Sequence, residues 1–190
     1  GGGSKQIAVL ILIDESRWTE RDDNHSRIYV LDEFSPTEDS TPEQDARGIL
    51  AMLGRHGLAW KDVDMACGDR AYVRGAERKT NNDLMTYIAK RQRVHPDRLS
   101  PRIRTAKQGA GRGAGSVDVG VRYLHNQMIR TGGFGIHPRC ERLVESLDRW
   151  DFRDTEFKDP IDALRYGLHR YVFGAVGPGK QQSTTGLRLR

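Results

Sequence analysis

The chain has 190 residues, of which 36% are hydrophobic and 30% charged, and its net charge is +5. This length is enough for one hydrophobic core and does not call for two. No apolar run approaches the roughly 20 residues of a membrane span, so we expect no contact with a membrane. Cys67 and Cys140 are too few for a disulfide scaffold or a zinc site, and no secretory leader opens the sequence. We therefore expect one α/β domain over residues 5–174, with a linker or loop at 1–4 and a basic flexible tail at 175–190.

Acidic and basic residues are separated along the chain. Residues 14–45 hold eleven acidic and three basic side chains, a balance of −8, so this end should avoid phosphate. Residues 69–112 hold twelve basic and four acidic side chains, a balance of +8. A polyanion would bind to this second segment. The alternative is that its long basic side chains only keep a surface hydrated.

The first half of the sequence predicts a hairpin followed by a helix and a strand. Residues 7–13 (IAVLILI) are apolar on both faces, which predicts a central strand covered on both sides. Residues 27–34 (RIYVLDEF) predict its hairpin partner. Thr41, with Pro42 and a Gln three residues after it, predicts a capped helix start, and Gly57 a stop. Residues 63–67 then predict a strand.

The second half alternates between helical and extended patterns. Its predicted elements are, in order, a helix at 81–94, a short strand at 102–106, a glycine loop at 109–115, a helix capped by Ser116, a short strand at 134–136, a helix around Leu143, and a last helix from Asp159. A hairpin followed by alternating helices and strands predicts an α/β fold with a mixed sheet covered by helices.

Three acidic residues stand where chemistry could occur. Asp69 follows the predicted strand at 63–67, at the end where open α/β sheets build their sites. Asp159 and Asp162 are three apart at a helix start, so both carboxylates can lie on one side of the first turn and share a metal ion. Each has an ordinary structural alternative, since Gly-Asp pairs form turns and acids favour helix starts.

The glycine loop precedes a helix, an arrangement that exposes backbone N–H groups to phosphate. No Gly-Lys-Ser/Thr follows it, so it is not a P-loop. With Lys107 and Arg112 nearby, the loop is predicted to contact the DNA backbone, and a plain linker is the alternative. Among the six histidines only His169 is a site candidate, because it follows Asp162 by two helical turns.

The segment KDPIDALRY at residues 158–166 resembles the closing motif of the nuclease domain of tailed-phage terminase large subunits. The order before it is also similar to that family: Lys107, a glycine loop, a helix, the FGIHP strand and turn, and Cys140 with its helix. The hairpin strands resemble the second and third strands of an RNase H-like fold, and Asp69 falls where the fourth strand presents its carboxylate.

The resemblance implies an RNase H-like fold that binds Mg²⁺ or Mn²⁺ through Asp69, Asp159 and Asp162. In the family a first metal-binding Asp lies in a strand before residue 7, which by this alignment falls upstream of Gly1, and Asp14 is the alternative. No Walker motif occurs, so the ATPase domain of such subunits is not within these residues. The basic residues expected to contact DNA are Lys107, Arg112, Arg104, Arg74, Arg78 and Lys79.

The implied function is a metal-dependent endonuclease that cuts concatemeric duplex DNA during viral genome packaging in the host cytoplasm. Its implied partners are double-stranded DNA, the portal protein, the small terminase subunit and the ATPase domain. Two alternatives stay open: a DNA-binding or assembly domain of the same fold that does not cut, and another RNase H-like nuclease of the resolvase or transposase type.

Overall fold

The computed structural model describes residues 6–14, 27–68, 81–105, 115–129, 133–151 and 157–174. Five strands and five helices occur in these ranges. They are β1 (Ala8–Asp14), β2 (Arg27–Phe34), α1 (Pro42–Arg55), β3 (Ala66–Gly68), α2 (Asn81–Gln92), β4 (Ile103–Thr105), α3 (Gly115–Met128), β5 (Phe134–Ile136), α4 (Glu141–Arg149) and α5 (Lys158–Gly174). Short 3₁₀ turns at Trp60–Asp62 and Pro96–Arg98 precede β3 and β4.

The described strands form one mixed sheet and one small parallel sheet. β2 is the centre of the larger sheet, because it pairs antiparallel with β1 and parallel with β5. An irregularity between Leu10 and Ile11 shifts the register of the β1–β2 pair. β3 pairs parallel with β4 in the second sheet. With helices packed against these strands, the fold is mixed α/β, as the alternation of patterns predicts.

β1 is covered on both faces, as its apolar sequence predicts, but it is not central. Ala8 and Leu10 pack on a core formed with α1, α2 and β3, whereas Ile11 and Ile13 pack on a second core with α4 and α5. Among the described strands β1 pairs only with β2, so it lies at an edge. The prediction of a central strand is therefore wrong for the described sheet, because burial of both faces comes from helices and does not require a strand on each side.

The start and end of α1 agree with the sequence prediction. The Thr41 hydroxyl accepts a hydrogen bond of 3.3 Å from the Gln44 backbone N–H, and the Gln44 side chain accepts one of 2.7 Å from the Thr41 N–H. These two bonds satisfy donors that a helix start otherwise leaves unpaired. After the helix, Gly57 adopts φ +69°, a conformation that glycine tolerates best.

Several predicted boundaries need correction. The strand predicted at 63–67 is instead Ala66–Gly68, because a bend at Asp64 precedes it and its partner β4 pairs with it over only these three residues. The helix predicted to reach residue 94 ends at Gln92, since Arg93 takes φ 55° and leaves the helical region. α3 begins at Gly115, one residue before its predicted Ser116 cap. The strand at Phe134–Ile136 is confirmed.

No helix in the described part of the chain is long and apolar enough to cross a lipid bilayer.

Candidate functional site

The first turn of α5 carries the acidic pair that the sequence singles out. Phe157 is buried just before the helix, and Ile161, Leu164 and Leu168 are buried at helical spacing, so one face of α5 is anchored in the core. Asp159 lies on the exposed part of this turn. Asp162 is mostly buried, with a side chain 13% exposed. The two carboxylates therefore differ in environment although they are three residues apart.

The Asp162 carboxylate is held by two basic residues of its own helix. Arg165 donates hydrogen bonds from Nε (3.1 Å) and Nη2 (2.8 Å) to the same oxygen, Oδ1. The ammonium of Lys158 lies 3.3 Å from the other oxygen, Oδ2. The Arg165 side chain is 7% exposed and that of Lys158 is 47% exposed. One oxygen of Asp162 therefore faces a buried guanidinium, and the other faces a cation at the surface.

α5 also lies against the strand that precedes Asp69. The helix packs against β1 and β3, and β3 ends at Gly68. Asp69 itself lies outside the described residues, as do Lys107, Arg112, Arg74, Arg78 and Lys79. Arg104 lies on β4. His169 lies on α5, and its side chain is not among those described.

Asp14 ends β1, where it is aligned with Arg27 of β2. Within the described ranges, no three His, Cys, Asp or Glu side chains are grouped closely enough to hold a metal ion. Asp14, Asp159 and Asp162 therefore do not make a three-ligand site by themselves. Any set of three that includes Asp69 extends beyond the described residues.

A second polar cluster, which the sequence analysis did not identify, surrounds Asp32 of β2. Arg55 donates to Asp32 through Nε (2.8 Å) and Nη2 (3.0 Å), and His56 Nε2 lies 3.0 Å from Oδ2. Arg139 approaches the same oxygen at 3.5 Å. Burial alone would raise the pKa of Asp32, but the hydrogen bonds from Arg55, the Glu33 backbone and His56 outweigh it and lower the pKa to about 2.

A sequence signal for this cluster exists. Ile28, Val30 and Asp32 stand at alternate positions of β2 and are all buried, so the sequence alternation marks Asp32 as a buried residue. The register shift leaves Leu31 without a partner in β1, and Asp32 therefore pairs with Leu10 of the first core, whereas Val30 pairs with Ile11 of the second. A buried carboxylate requires charged or hydrogen-bonding partners. The identity of those partners depends on α1 and on the segment before α4, which the local pattern does not specify.

Glu33, the next residue, points to the other face and contacts the start of α4. Its carboxylate accepts hydrogen bonds from the backbone N–H groups of Arg142 (2.7 Å) and Leu143 (2.9 Å). Burial raises the pKa of Glu33, and these two hydrogen bonds offset part of the rise. A shallow polar cleft of about 330 Å³ lies beside it, lined by Glu33, Ser35, Arg139, Glu141, Arg142 and Glu145.

The buried Cys140 is not suited to nucleophilic chemistry. It is fully buried at the N-terminal end of α4, and burial raises the pKa of its thiol to about 11. The thiol is therefore protonated at neutral pH, whereas a thiolate is the reactive form.

Comparison with protein-family models, curated proteins and solved structures finds no match.

Proposed function

We propose that this chain is a metal-dependent DNA endonuclease domain with an RNase H-like fold, of the kind that viral terminases use to cut concatemeric DNA during packaging. One observation supports this above the others. α5, which carries the IDALRY motif and Asp162, packs against β3, and β3 ends immediately before Asp69. Asp162 thus lies on α5 and Asp69 directly follows β3 in the sequence, and these two elements contact each other.

The proposal requires a mixed α/β architecture, and at this coarse level the described fold meets that requirement. An antiparallel hairpin, β1–β2, opens the described fold, and the later strands form the parallel pairs β3–β4 and β2–β5. Helices cover both faces of β1. Open α/β sheets place their sites beyond the carboxyl ends of parallel strands, which is where Asp69 follows β3.

The residues available at α5 suit Mg²⁺ or Mn²⁺ in donor chemistry. Asp159 and Asp162 offer carboxylate oxygens, the ligands that these hard cations prefer, and Asp69 would complete the set. Oδ2 of Asp162 already faces a positive charge, the Lys158 ammonium. When bound, such an ion supplies Lewis-acid polarisation of the phosphate and a more acidic water. In the protein, Arg165 fixes the orientation of Asp162, and Asp159 is open to solvent.

Exposed basic residues near α2 offer a surface for the DNA backbone. They lie at the C-terminal end of the helix and in the following turn, and they are Lys90, Arg91, Arg93, Arg98 and Arg102. Arg91 has only a 3.6 Å ion pair with Glu43, and Arg102 only a 3.9 Å one with Asp97. Such exposed pairs are weak, so these cations can turn to phosphates. Duplex DNA is thus the proposed substrate, with the portal, small subunit and ATPase domain as proposed partners.

The test is cleavage of supercoiled plasmid by the purified chain with Mn²⁺, Mg²⁺ or EDTA. We expect nicking that needs the metal and is lost in Asp162→Asn and Asp69→Asn. Asp148→Asn, which changes an exposed carboxylate on α4, is the matched control and should cut normally. Because Asp162 neutralises a buried arginine, each variant must first be shown to keep its fold by circular dichroism.

A second candidate is a DNA-binding or assembly domain that does not cut. It is favoured by the observation that the described residues contain no three-ligand group, with Asp14, Asp159 and Asp162 not assembled into one. A folded protein that binds duplex DNA with a steep salt dependence but cuts in neither metal, and that still does not cut when about a strand's length of upstream sequence is restored, would establish this candidate and overturn the nuclease. A marked preference for branched DNA in the cleavage assay would instead indicate a resolvase-like enzyme.

A further inference from the structure

The burial of Arg165 distinguishes its contact with Asp162 from an ordinary surface ion pair. The Arg165 side chain of α5 packs against Gly120 of α3, where an added Cβ would come within 2.5 Å of the arginine Cδ. Its guanidinium also lies 4.6 Å from the centre of the Tyr166 ring. The arginine stem thus occupies space that only a glycine at position 120 leaves open. A buried guanidinium cannot lose its charge, so it needs its anionic partner to stay in place.

Both hydrogen bonds from Arg165 end on the same oxygen of Asp162. Oδ1 accepts the hydrogen bonds from Nε and Nη2, and Oδ2 accepts neither of them. The contact of Oδ2 is with Lys158, whose long side chain is half exposed and is held by a 3.3 Å ion pair. The ammonium of Lys158 is at the surface, where hydration competes with its ion pair to Asp162. Lys158 can therefore leave Oδ2 readily, whereas Arg165 cannot leave Oδ1.

We infer that Arg165 is a positioning residue that presents Oδ2 of Asp162 to a divalent cation, and that Lys158 is the counter-ion which this cation displaces. This inference rests on the proposed function, because it assumes that Asp162 binds metal. It assigns opposite roles to two basic residues on one carboxylate. Arg165 favours metal binding by fixing the ligand, and Lys158 opposes it by competing for the same oxygen.

The two roles predict effects of opposite sign when one positive charge is removed. Lys158→Gln should tighten Mn²⁺ binding by about two- to fivefold, since a competing surface ion pair is lost. Arg165→Gln should weaken Mn²⁺ binding by about tenfold or more, the usual result when the partner that orients a metal ligand is lost. Simple electrostatics predicts tighter binding for both variants, because each removes a cation near the site.

Binding is measured as the loss of the free Mn²⁺ signal in electron paramagnetic resonance, on the full chain without DNA. Lys61→Gln, which removes an exposed lysine from the Trp60–Asp62 turn, is the control for net charge and should not change the affinity. Gly120→Ala is a second test of Arg165, because it keeps the guanidinium but crowds its stem. It should weaken Mn²⁺ binding even if Arg165→Gln fails to fold.

The outcomes separate this inference from the proposed function. If wild type binds no Mn²⁺ at millimolar concentration, or if Asp162→Asn binds as wild type does, the proposed metal site is wrong. If wild type binds at Asp162 but Arg165→Gln binds as tightly or more tightly, Arg165 is only structural and the inference fails while the metal site stands. If Lys158→Gln changes the affinity no more than Lys61→Gln does, Lys158 is not the displaced counter-ion.

Discussion

Glu33 accepts a 2.9 Å hydrogen bond from the backbone N–H of Leu143, a residue 110 positions later in the chain. The same carboxylate accepts a 2.7 Å bond from the N–H of Arg142. Both donors belong to the first turn of α4, whose own N-cap residue, Cys140, makes no side-chain cap hydrogen bond. A carboxylate of β2 therefore caps a helix that its local sequence leaves uncapped, which joins the larger sheet to α4.

Removing this cap should destabilise the protein. Glu33→Ala should lower the free energy of unfolding by about 1 kcal/mol, because two helix donors lose their acceptor and the helix start loses a nearby negative charge. The Arg142 and Leu143 amides should also exchange faster with deuterated water. Urea denaturation and hydrogen exchange measure the two effects. Glu38→Ala, at an exposed position, is the control, and unchanged exchange in Glu33→Ala would contradict the capping role.

Removing the side chain of Asp32 should destabilise the protein more than removing that of its neighbour Glu33. Asp32→Ala leaves Arg55 and His56 without their shared acceptor, and we expect a loss of about 2 kcal/mol in the free energy of unfolding, since a buried charged contact is broken. The effect is measured by urea denaturation at pH 7. Asp39→Ala, at an exposed site, should change stability by much less. If Asp32→Ala and Asp39→Ala lower the free energy of unfolding equally, the polar cluster around Asp32 contributes little to stability.

The low pKa of Asp32 predicts a specific loss of stability in acid. Its pKa is about 2 in the folded protein against an ordinary 3.8, so it stabilises the fold above pH 3.8 and ceases to do so as the pH falls through 2. This contribution amounts to about 2 kcal/mol. Glu33 acts in the opposite sense, because its raised pKa favours the fold at low pH. The free energies of unfolding of wild type and Asp32→Asn should become equal as the pH falls from 5 to 2. A difference between the two proteins that stays constant over this range would refute the low pKa of Asp32.

Two glycines of α1 should respond oppositely to the same substitution. A Cβ at Gly48 would overlap the Phe34 ring, whereas a Cβ at Gly54 meets nothing within 4 Å. Gly48→Ala should therefore cost about 1–3 kcal/mol through overpacking between α1 and β2. Gly54→Ala should stabilise by about 0.5 kcal/mol, since alanine favours the helix. Thermal unfolding of the two variants tests this, and a stable Gly48→Ala protein would contradict the packing.

The elements that the sequence predicts well are those with local causes. The capping box at Thr41 and the apolar alternation of β2 each act within a few residues, so periodicity and turn chemistry identify them. The predicted bounds of β3 are wrong, because the strand extends only where it pairs with the three residues Ile103–Thr105 of β4, far along the chain. Such a distant contact has no local signal.

In the candidate site, too, the sequence predicts local contacts and does not predict distant ones. The spacing of Asp162 and Arg165 on one helix could be read from the sequence, because side chains three apart on a helix are neighbours. The burial of Arg165 could not, since it depends on Gly120 in another helix. Likewise Asp32 stood at a core position of β2, but its partner Arg139 comes from the distant segment before α4.

β1 lies at an edge of the described sheet, and its residues from Ala8 to Ile13 are all uncharged and contain no proline. Proteins usually protect edge strands with charges, proline or bulges, because an open row of backbone donors and acceptors can pair with a strand of another molecule. Here the helices that cover both faces of β1 supply that protection. Conditions that loosen α5 should therefore make this strand the starting point of aggregation well before the protein is fully unfolded.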